Sequence, residues 1–246
     1  MNIVIPMAGI SDLNGFHYPK NFYEIDRRPL FQHVFENLPH ADGINFIFIV
    51  RREEVERYYI DQSLHLLSPN CIIVELEGET SGAACTVLLA SKYIDNDQPL
   101  VIANGDQIIQ ANLNKILHFF DKNDADGGIV AFDSVHPRWS YIRIDQDGFV
   151  SETAEKRPIS RNATAGFYYF KRGADYVLAA QQMIKKDAHI EGKYYVCPVY
   201  NEMILAQKRI MPYSIEPTQY FSLTSEKGIA QYERALRSEF DWNDQK

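Results

Sequence analysis

The chain has 246 residues, 46% hydrophobic and 24% charged, and this balance excludes a disordered, collagen-like or low-complexity protein. Its 25 basic and 33 acidic residues give a net charge of −8, so we expect neither nucleic acid nor an anionic membrane as a partner. No apolar stretch reaches the ~20 residues of a transmembrane helix, and residues 1–6 lack the basic segment of a signal peptide. Three cysteines without close spacing favour reduced thiols, and with them a cytoplasmic location.

The first half of the chain predicts strands that alternate with helices. Uninterrupted apolar runs, typical of strands buried on both faces, lie at residues 3–7, 46–50, 71–74 and 100–103. Helical spacing of apolar residues lies between or after them, at residues 52–67, 82–93 and 113–120. The helix over 52–67 is predicted to bury one face formed by Val55, Tyr58, Tyr59, Gln62 and Leu66. Because helices that connect parallel strands form right-handed crossovers, the pattern predicts a mainly parallel sheet with ligands beyond the carboxyl ends of its strands.

The second half predicts antiparallel strands added to this sheet. The extended runs lie at residues 128–132, 141–144, 149–155 and 163–170. A helix follows over 173–186 with Val177, Leu178 and Ile184 inward, and a last helix is predicted from about 225 to 236. Residues 241–246 are predicted to be a frayed polar tail. Without repeats or linkers, the chain is expected to form one α/β domain over 1–246, with a mixed sheet flanked by helices.

Small residues after the first strand suggest a phosphate site. Ala8 and Gly9 allow backbone N–H groups to approach a phosphate closely, and Lys20 behind a proline adds a positive charge. The alternative is a plain turn and a solvated lysine. Asp106 follows the run 100–103, and a carboxylate at this edge suits Mg²⁺. A residue that only caps the next turn is the alternative there.

Glu155 and Lys156 form a third candidate segment at the end of a predicted strand. A carboxylate can accept a hydrogen bond from a sugar hydroxyl, and a neighbouring ammonium can bind a phosphate. Together the two groups would hold a sugar phosphate. An ordinary pair of opposite charges on the surface is the alternative.

Together, these segments resemble the sugar-phosphate nucleotidyltransferases, also called sugar-nucleotide pyrophosphorylases, over nearly the whole chain. The motifs that support the resemblance are Pro19 and Lys20 before residues 24–30, then residues 80–84, 104–106, 154–158, 163–170 and 195–202. The segment 195–202 is similar to small bacterial capsule and cell-surface members.

This resemblance implies a nucleotide-diphospho-sugar transferase (GT-A or Rossmann-like) fold, with a nucleotide-binding half over about 1–110 and an acceptor-binding half over about 111–238. It implies transfer of a nucleotidyl group from an NTP to a phosphorylated acceptor with release of pyrophosphate, Mg²⁺ as cofactor, and a role in capsule or surface-glycan biosynthesis. The implied nucleotide-binding residues are Ala8, Gly9, Lys20, Thr80, Gly82, Asn104 and Gly105. The implied acceptor-binding residues are Tyr141, Glu155, Lys156, Thr164, Gly166, Tyr195 and Asn201. Lys20, Asp106 and Lys156 would support catalysis, with Asp106 as the metal ligand.

Two departures from the family pattern leave alternatives open. The opening loop after Gly9 lacks the second glycine and the arginine of the family, and Asp12 brings a negative charge there. Ser222 stands at the position of a second metal-binding aspartate. One alternative is therefore a binding protein that has lost turnover. Another is a GT-A-type glycosyltransferase, although Asp106 followed by Gln107 lacks the usual Asp-x-Asp pair. The base, the acceptor and the oligomeric state, a homo-oligomer included, are not specified by the sequence.

Overall fold

The computed structural model describes residues 1–9 and 19–243, with side chains as far as residue 238. The altered opening loop, including Asp12, and residues 244–246 of the predicted tail lie outside the described residues. The strands are β1 (Asn2–Pro6), β2 (Glu24–Ile25), β3 (Arg28–Pro29), β4 (Asn45–Arg51), β5 (Ile72–Leu76), β6 (Leu100–Ala103), β7 (Gln107–Ile109), β8 (Gly127–Asp133), β9 (Ser140–Ile144), β10 (Val150–Glu155), β11 (Asn162–Phe170), β12 (Ile210–Ile215) and β13 (Tyr220–Ser222). The α-helices are α1 (Leu30–Asn37), α2 (Arg52–Tyr58), α3 (Ile60–Leu67), α4 (Ala83–Leu88), α5 (Ser91–Ile94), α6 (Leu113–Lys122), α7 (Gly173–Lys185), α8 (Val196–Leu205) and α9 (Glu226–Asn243).

One mixed sheet forms the centre of the molecule, as predicted. Its main path runs β10-β9-β11-β6-β1-β4-β5, and β8 pairs with both β11 and β12. The strands β6, β1, β4 and β5 are parallel to one another, because helical segments connect them. Strand β11 is antiparallel to β6, and it also pairs with β8 and β9. The second half, which is antiparallel except that β12 runs parallel to β8, is therefore joined to the parallel first half along a single strand.

The apolar run of β4 shows why the sheet is covered on both faces. Phe46, Phe48 and Val50 pack into one core layer together with α1 and α6. Ile47 and Ile49 point the other way and pack into the layer formed by α4, α7 and α8. Since side chains alternate along a strand, an uninterrupted apolar run is what two covered faces require.

The helix predicted over 52–67 is broken in the structure, and its predicted inner face was wrong. Tyr59 adopts a left-handed conformation with φ of 54°, so α2 ends there and α3 starts again with a shifted phase. Tyr59 and Leu66 are consequently exposed, whereas Ile60 and Leu64 are fully buried. The helix predicted over 82–93 is likewise divided into α4 and α5.

Two further helix predictions need correction. Leu178 of α7 is exposed rather than inward, because the buried side chains Tyr176, Val177, Ala180 and Met183 define the inner face and Leu178 lies beyond its edge. Helix α9 does not end near residue 236 but continues to Asn243, so residues 241–243 are helical. None of the described helices has the length and apolar character needed to cross a membrane.

Candidate active site

A cavity of about 370 Å³ lies at the carboxyl edge of the parallel strands, where the segments that follow β1, β4, β5 and β6 meet. The predicted site residues that line it are Ala8, Gly9, Thr80, Gly82, Asn104, Gly105, Asp106 and Tyr195. The first seven follow strand ends of the first half, whereas Tyr195 comes from the second half. The cavity therefore brings the predicted nucleotide side and part of the predicted acceptor side together.

An ion pair between Lys20 and Asp106 marks one end of this cavity. The Lys20 Nζ lies 2.6 Å from the Asp106 Oδ2, and the side chains are 11% and 27% exposed. Lys20 starts a short 3₁₀ turn, Lys20–Phe22, whereas Asp106 follows β6. Both charged groups that sequence reasoning assigned to phosphate and metal thus reach the same place from different elements.

Buried hydrogen bonds hold the turn that presents Lys20. The Asn21 side-chain amide donates to the Glu54 Oε2 at 2.8 Å and to the main-chain oxygen of Met7 at 3.2 Å. Asn21 and Glu54 are both buried. Burial raises the pKa of Glu54, and the hydrogen bond from Asn21 and the charges of Arg51 and Lys20 offset part of that rise. The lysine turn is therefore attached both to the end of β1 and to α2.

The surroundings of Asp106 fit one Mg²⁺ that shares its coordination with a phosphate. The Leu223 N–H donates to the Asp106 main-chain oxygen at 2.8 Å, and Ser222 pairs with Gln107 in the β13–β7 ladder. Ser222 therefore lies beside Asp106, but its hydroxyl is engaged with Thr224 at 2.8 Å and carries no charge. Among residues 1–9 and 19–238, no cluster of three or more Asp, Glu, His or Cys side chains is placed to hold a metal. Mg²⁺ commonly takes one or two carboxylates together with waters and substrate phosphates, so Asp106 alone suffices as protein carboxylate.

Gly82 brings the loop after β5 into contact with Tyr194 of the second half. Its φ is +109°, and a Cβ at this position would overlap the main chain of Tyr194. The main chains are joined by Tyr194 N–H to Ser81 O at 2.7 Å and by Ala84 N–H to Tyr194 O at 3.0 Å. The glycine is therefore required by both its conformation and its close approach.

Lys156 and Glu155 lie on the acceptor side, beside Tyr195. The Lys156 Nζ is 5.3 Å from the centre of the Tyr195 ring and 3.7 Å from the Glu191 Oε2. Glu155 accepts a hydrogen bond from the Ser140 hydroxyl. Burial raises the pKa of Glu155, and this hydrogen bond and the Lys156 charge oppose the rise. This group offers one cation, one carboxylate and one aromatic face next to the cavity.

Tyr141 and Thr164, predicted to contact the acceptor, lie in the core instead. Tyr141 is fully buried and donates its hydroxyl to the His136 oxygen at 2.7 Å. Thr164 is buried, and its hydroxyl is hydrogen-bonded to that of Tyr168 at 3.0 Å. Since neither side chain has a free polar group facing the cavity, both predictions are corrected to packing roles.

Asn201 and Gly166 also serve the protein framework rather than an acceptor. The Asn201 side chain accepts from the Thr153 N–H at 2.8 Å and donates to the Thr153 oxygen at 2.9 Å, so it connects α8 to β10. Gly166 has a φ of +64°, and a Cβ there would overlap the side chains of Asn104 and Gln107. Gly166 therefore allows the side chains of Asn104 and Gln107, on either side of Asp106, to pack against β11.

No role was predicted for four polar or charged residues of the lining, Arg51, Glu79, Thr86 and Lys193. Glu79 follows β5, within the segment that the strand-end rule indicates, and the same rule could have found Arg51, the last residue of β4. Lys193 closes a tight turn in which Ile190 and Lys193 exchange both main-chain hydrogen bonds and Glu191 and Gly192 have positive φ. Gly192 suits the second position of such a turn, but Glu191 is not a residue type that favours a positive φ, so the local sequence does not specify this turn.

Known proteins share both the sequence pattern and the fold. A model of the nucleotidyl transferase family matches residues 12–214. The UTP–glucose-1-phosphate uridylyltransferase AglF of Haloferax volcanii is 26% identical over 160 residues, which cover 62% of this chain and 63% of AglF. The match thus spans less than two thirds of that relative.

Solved structures extend the likeness to nearly the full length. A nucleoside-diphosphate-sugar pyrophosphorylase from Vibrio cholerae RC9 aligns with a TM-score of 0.80 and 26% identity, over 94% of this chain and 99% of that one. A UDP-glucose pyrophosphorylase solved with UDP-glucose aligns with a TM-score of 0.73 over 97% and 98% of the two chains, and at 14% identity this likeness concerns the fold alone. The predicted family and fold class are confirmed.

Proposed function

The chain belongs to the nucleotidyl transferase family, and from this premise we propose that it transfers a nucleotidyl group from an NTP to a phosphorylated acceptor and releases pyrophosphate. The main support is the placement of Lys20 and Asp106 within 2.6 Å at one end of a cavity whose other side includes Tyr195, next to Lys156. Lys20 and Lys156 thus lie beside opposite parts of a cavity at the edge where α/β sheets bind ligands, and the lining itself adds the cations Arg51 and Lys193.

The proposed reaction needs no covalent enzyme intermediate. An oxygen of the acceptor phosphate attacks the α-phosphorus, the bond between that phosphorus and the oxygen bridging to the β-phosphate breaks, and pyrophosphate leaves with the electron pair. The protein then acts by positioning the two phosphates and offsetting their charge. Lys20 would bind NTP phosphates, whereas Lys156 would bind the acceptor phosphate.

Asp106 would hold Mg²⁺, which when bound offsets negative charge on the phosphates of the NTP. Lys20 forms an ion pair with this carboxylate in the structure. Binding of the metal–NTP complex would therefore exchange partners, so that Asp106 contacts the metal and Lys20 contacts a phosphate. The hydrogen bonds of Asn21 would keep the lysine turn in place during that exchange.

A sugar 1-phosphate is the acceptor class we propose, and capsule or surface-glycan biosynthesis in the cytoplasm is the proposed context. AglF, whose name specifies UTP and glucose 1-phosphate, supports a sugar phosphate as acceptor. Tyr195 offers a ring face to a sugar, and Glu155 offers a carboxylate that can accept a sugar hydroxyl.

Pyrophosphate release tests this function. The purified protein is incubated with UTP, dTTP, CTP, GTP or ATP, each with Mg²⁺ and a panel of sugar 1-phosphates and other phosphorylated acceptors. We expect pyrophosphate and a nucleotide-sugar product in equal amounts from at least one pair. Folded protein that gives no turnover with any pair would contradict the proposal, and hydrolysis of a nucleotide-sugar without pyrophosphate chemistry would instead indicate a glycosyltransferase.

A binding protein without turnover is the second candidate. The uncharged Ser222 beside Asp106 and the ion pair that occupies Asp106 favour it. This candidate predicts that a nucleotide-sugar raises the melting temperature of the protein while NTP with Mg²⁺ does not. Stabilisation by NTP with Mg²⁺ favours the enzyme.

A further inference from the structure

Arg51 carries an unsatisfied hydrogen-bond donor in the cavity wall. It is the last residue of β4, and its Nη1 is buried without a hydrogen-bond partner among the described residues. A buried donor without a partner destabilises a folded protein, and a charged one does so strongly. Such a group therefore indicates that a ligand completes its hydrogen bonding.

Arg51 lies at the end of the cavity away from the proposed phosphate site. Along the sheet order β6-β1-β4-β5, Asp106 follows β6, whereas Arg51 ends β4 two strands away. Neighbouring strands are about 4.8 Å apart, so the strand ends are separated by about 10 Å. Leu76, its register partner in β5, also lines the cavity and adds an apolar surface. A nucleotide with its phosphates at Lys20 and Asp106 would extend its base towards Arg51 and Leu76.

Among the other polar side chains that line the cavity, Lys193 is exposed, and those near Arg51 do not offer a buried free donor. The hydroxyls of Thr80 and Thr86 are 2.6 Å apart, and each also contacts the Gly82 oxygen at 3.2 Å. Glu79 lines the cavity as well, but a carboxylate only accepts hydrogen bonds. Arg51 is thus the side chain there whose donor has no partner within the described part of the chain.

We propose that Arg51 determines nucleotide specificity by donating a hydrogen bond to a carbonyl oxygen of the base. Uracil, thymine, cytosine and guanine each carry such an oxygen, whereas adenine does not. The inference rests on the proposed function, because it requires an NTP whose phosphates lie at Lys20. It predicts that the protein uses ATP poorly compared with NTPs whose base has a carbonyl oxygen.

The test compares Arg51→Met, which keeps the length of the side chain and removes its donors, with Arg51→Lys and with the control Arg52→Met. Arg52 is the next residue, and it is exposed and paired with Glu75 and Glu77 at the surface. The melting temperature without ligand, its shift with UTP, CTP, GTP and ATP, and kcat/KM for each NTP are measured.

Arg51→Met should melt close to the wild-type temperature without ligand, because removal of the buried unpaired donor offsets the loss of a positive charge near Glu54. Its preference for the best NTP over ATP should fall by about tenfold or more, with the acceptor KM unchanged. Arg51→Lys, which keeps one donor group, should retain part of the preference. Arg52→Met should retain all of it.

Four results would overturn the inference. An equal drop in the ligand-free melting temperature of Arg51→Met and of Arg51→Lys, which keeps the charge near Glu54, would show that the fold itself satisfies the guanidinium. An equal loss of affinity for all NTPs would assign Arg51 to the ribose or the phosphates. If the wild-type protein binds all NTPs equally well, the proposed function stands and only the role of Arg51 is removed. If it binds no NTP, both the proposed function and the role of Arg51 are removed.

Discussion

The Lys20 ammonium nitrogen lies 2.6 Å from the Asp106 carboxylate, although the two groups have different proposed ligands. They neutralise each other, so a partly buried carboxylate is not left unpaired next to the cavity. If each proposed ligand takes one member of the pair, we expect NTP and metal to bind together. Loss of either ligand would favour the return of the ion pair.

Asp106→Asn should therefore reduce turnover by about 100-fold or more, since it removes the proposed metal ligand while changing little volume. The melting temperature should fall, because the Lys20 side chain, only 11% exposed, loses its charged partner, so activity is compared at a temperature at which both proteins are folded. Pyrophosphate release at saturating substrates measures the effect. Asp42→Asn, in an exposed turn, is the control. Near wild-type activity of Asp106→Asn would remove the metal assignment.

Lys156→Met should raise the KM for the acceptor about tenfold or more and leave the KM for NTP nearly unchanged, because a charged hydrogen bond to the acceptor phosphate is lost. Lys171→Met is a matched control, since Lys171 is 44% exposed, compared with 43% for Lys156, and has an acidic partner, Asp124. Initial rates with each substrate varied in turn measure both constants. A rise confined to the KM for NTP would show that Lys156 binds the NTP and not the acceptor.

The pKa of Glu155 should appear in the pH dependence of acceptor use. Because burial raises this pKa, the carboxylate gains its proton at a higher pH than an ordinary glutamate. If the ionised carboxylate accepts a hydrogen bond from a hydroxyl group of the substrate that receives the nucleotidyl group, kcat/KM for that substrate falls as the pH drops through the raised pKa. Glu155→Gln should be less active at neutral pH and should lack this acidic decline. The same decline in both proteins would exclude Glu155 as its source.

Glu54 should make the protein less stable as the pH rises. Its pKa is raised in the folded state, so the folded protein holds this proton more tightly than the unfolded chain does. The stabilisation is fully present below the unfolded pKa and is lost as the pH rises through the folded pKa. The free energy of unfolding of Glu54→Gln, relative to wild type, should thus increase with pH.

Urea unfolding at several pH values measures this difference. Glu53→Gln, an exposed change on the same helix, should show no comparable trend. A difference between Glu54→Gln and wild type that decreases with rising pH would contradict the direction of the pKa shift.

Gly82→Ala should destabilise the protein more than Gly78→Ala, although both positions have a positive φ. A Cβ at Gly78 meets no atom within 4 Å, so only the backbone conformation is strained, at about 1 kcal/mol. At Gly82 the Cβ also overlaps the main chain of Tyr194, and we expect a total of about 3 kcal/mol. Urea unfolding of the two variants gives the difference, and equal losses would show that the contact with Tyr194 is easily relaxed.

The residues that line the cavity from the first half of the chain could be predicted because a simple rule applies to them. Residues that directly follow buried parallel strands meet at one edge, and Gly9 and Asp106 were found in this way. Arg51 obeys the same rule, but it directly precedes the charged helix that starts at Arg52, and no role was predicted for it. The break at Tyr59 had no signal, because a left-handed residue that is not glycine is not predictable from its type.

The acceptor side was predicted less well because the resemblance transfers residue types but not side-chain directions. Tyr141 lies on an antiparallel strand, where one step along the chain decides between the core and the opposite face. Its burial therefore depends on the register with β11, which the local sequence does not specify. Asn201 was assigned to a ligand although its amide matches the backbone of Thr153, a contact that appears only once α8 packs on β10.

Strand β11 limits how the molecule can adapt to its substrates. Since it is hydrogen-bonded to β6 on the parallel side and to β8 and β9 on the antiparallel side, hinge bending between the two sides would break ladder bonds. Adjustment to acceptors of different size must then come from the connecting segments. The turn at Glu191 and Gly192 is suited to it, because no atom lies near a Cβ built on Gly192 and the turn carries the partner of Lys156. We therefore expect substitutions in that turn, and not in the strands, to change which acceptors the protein can use.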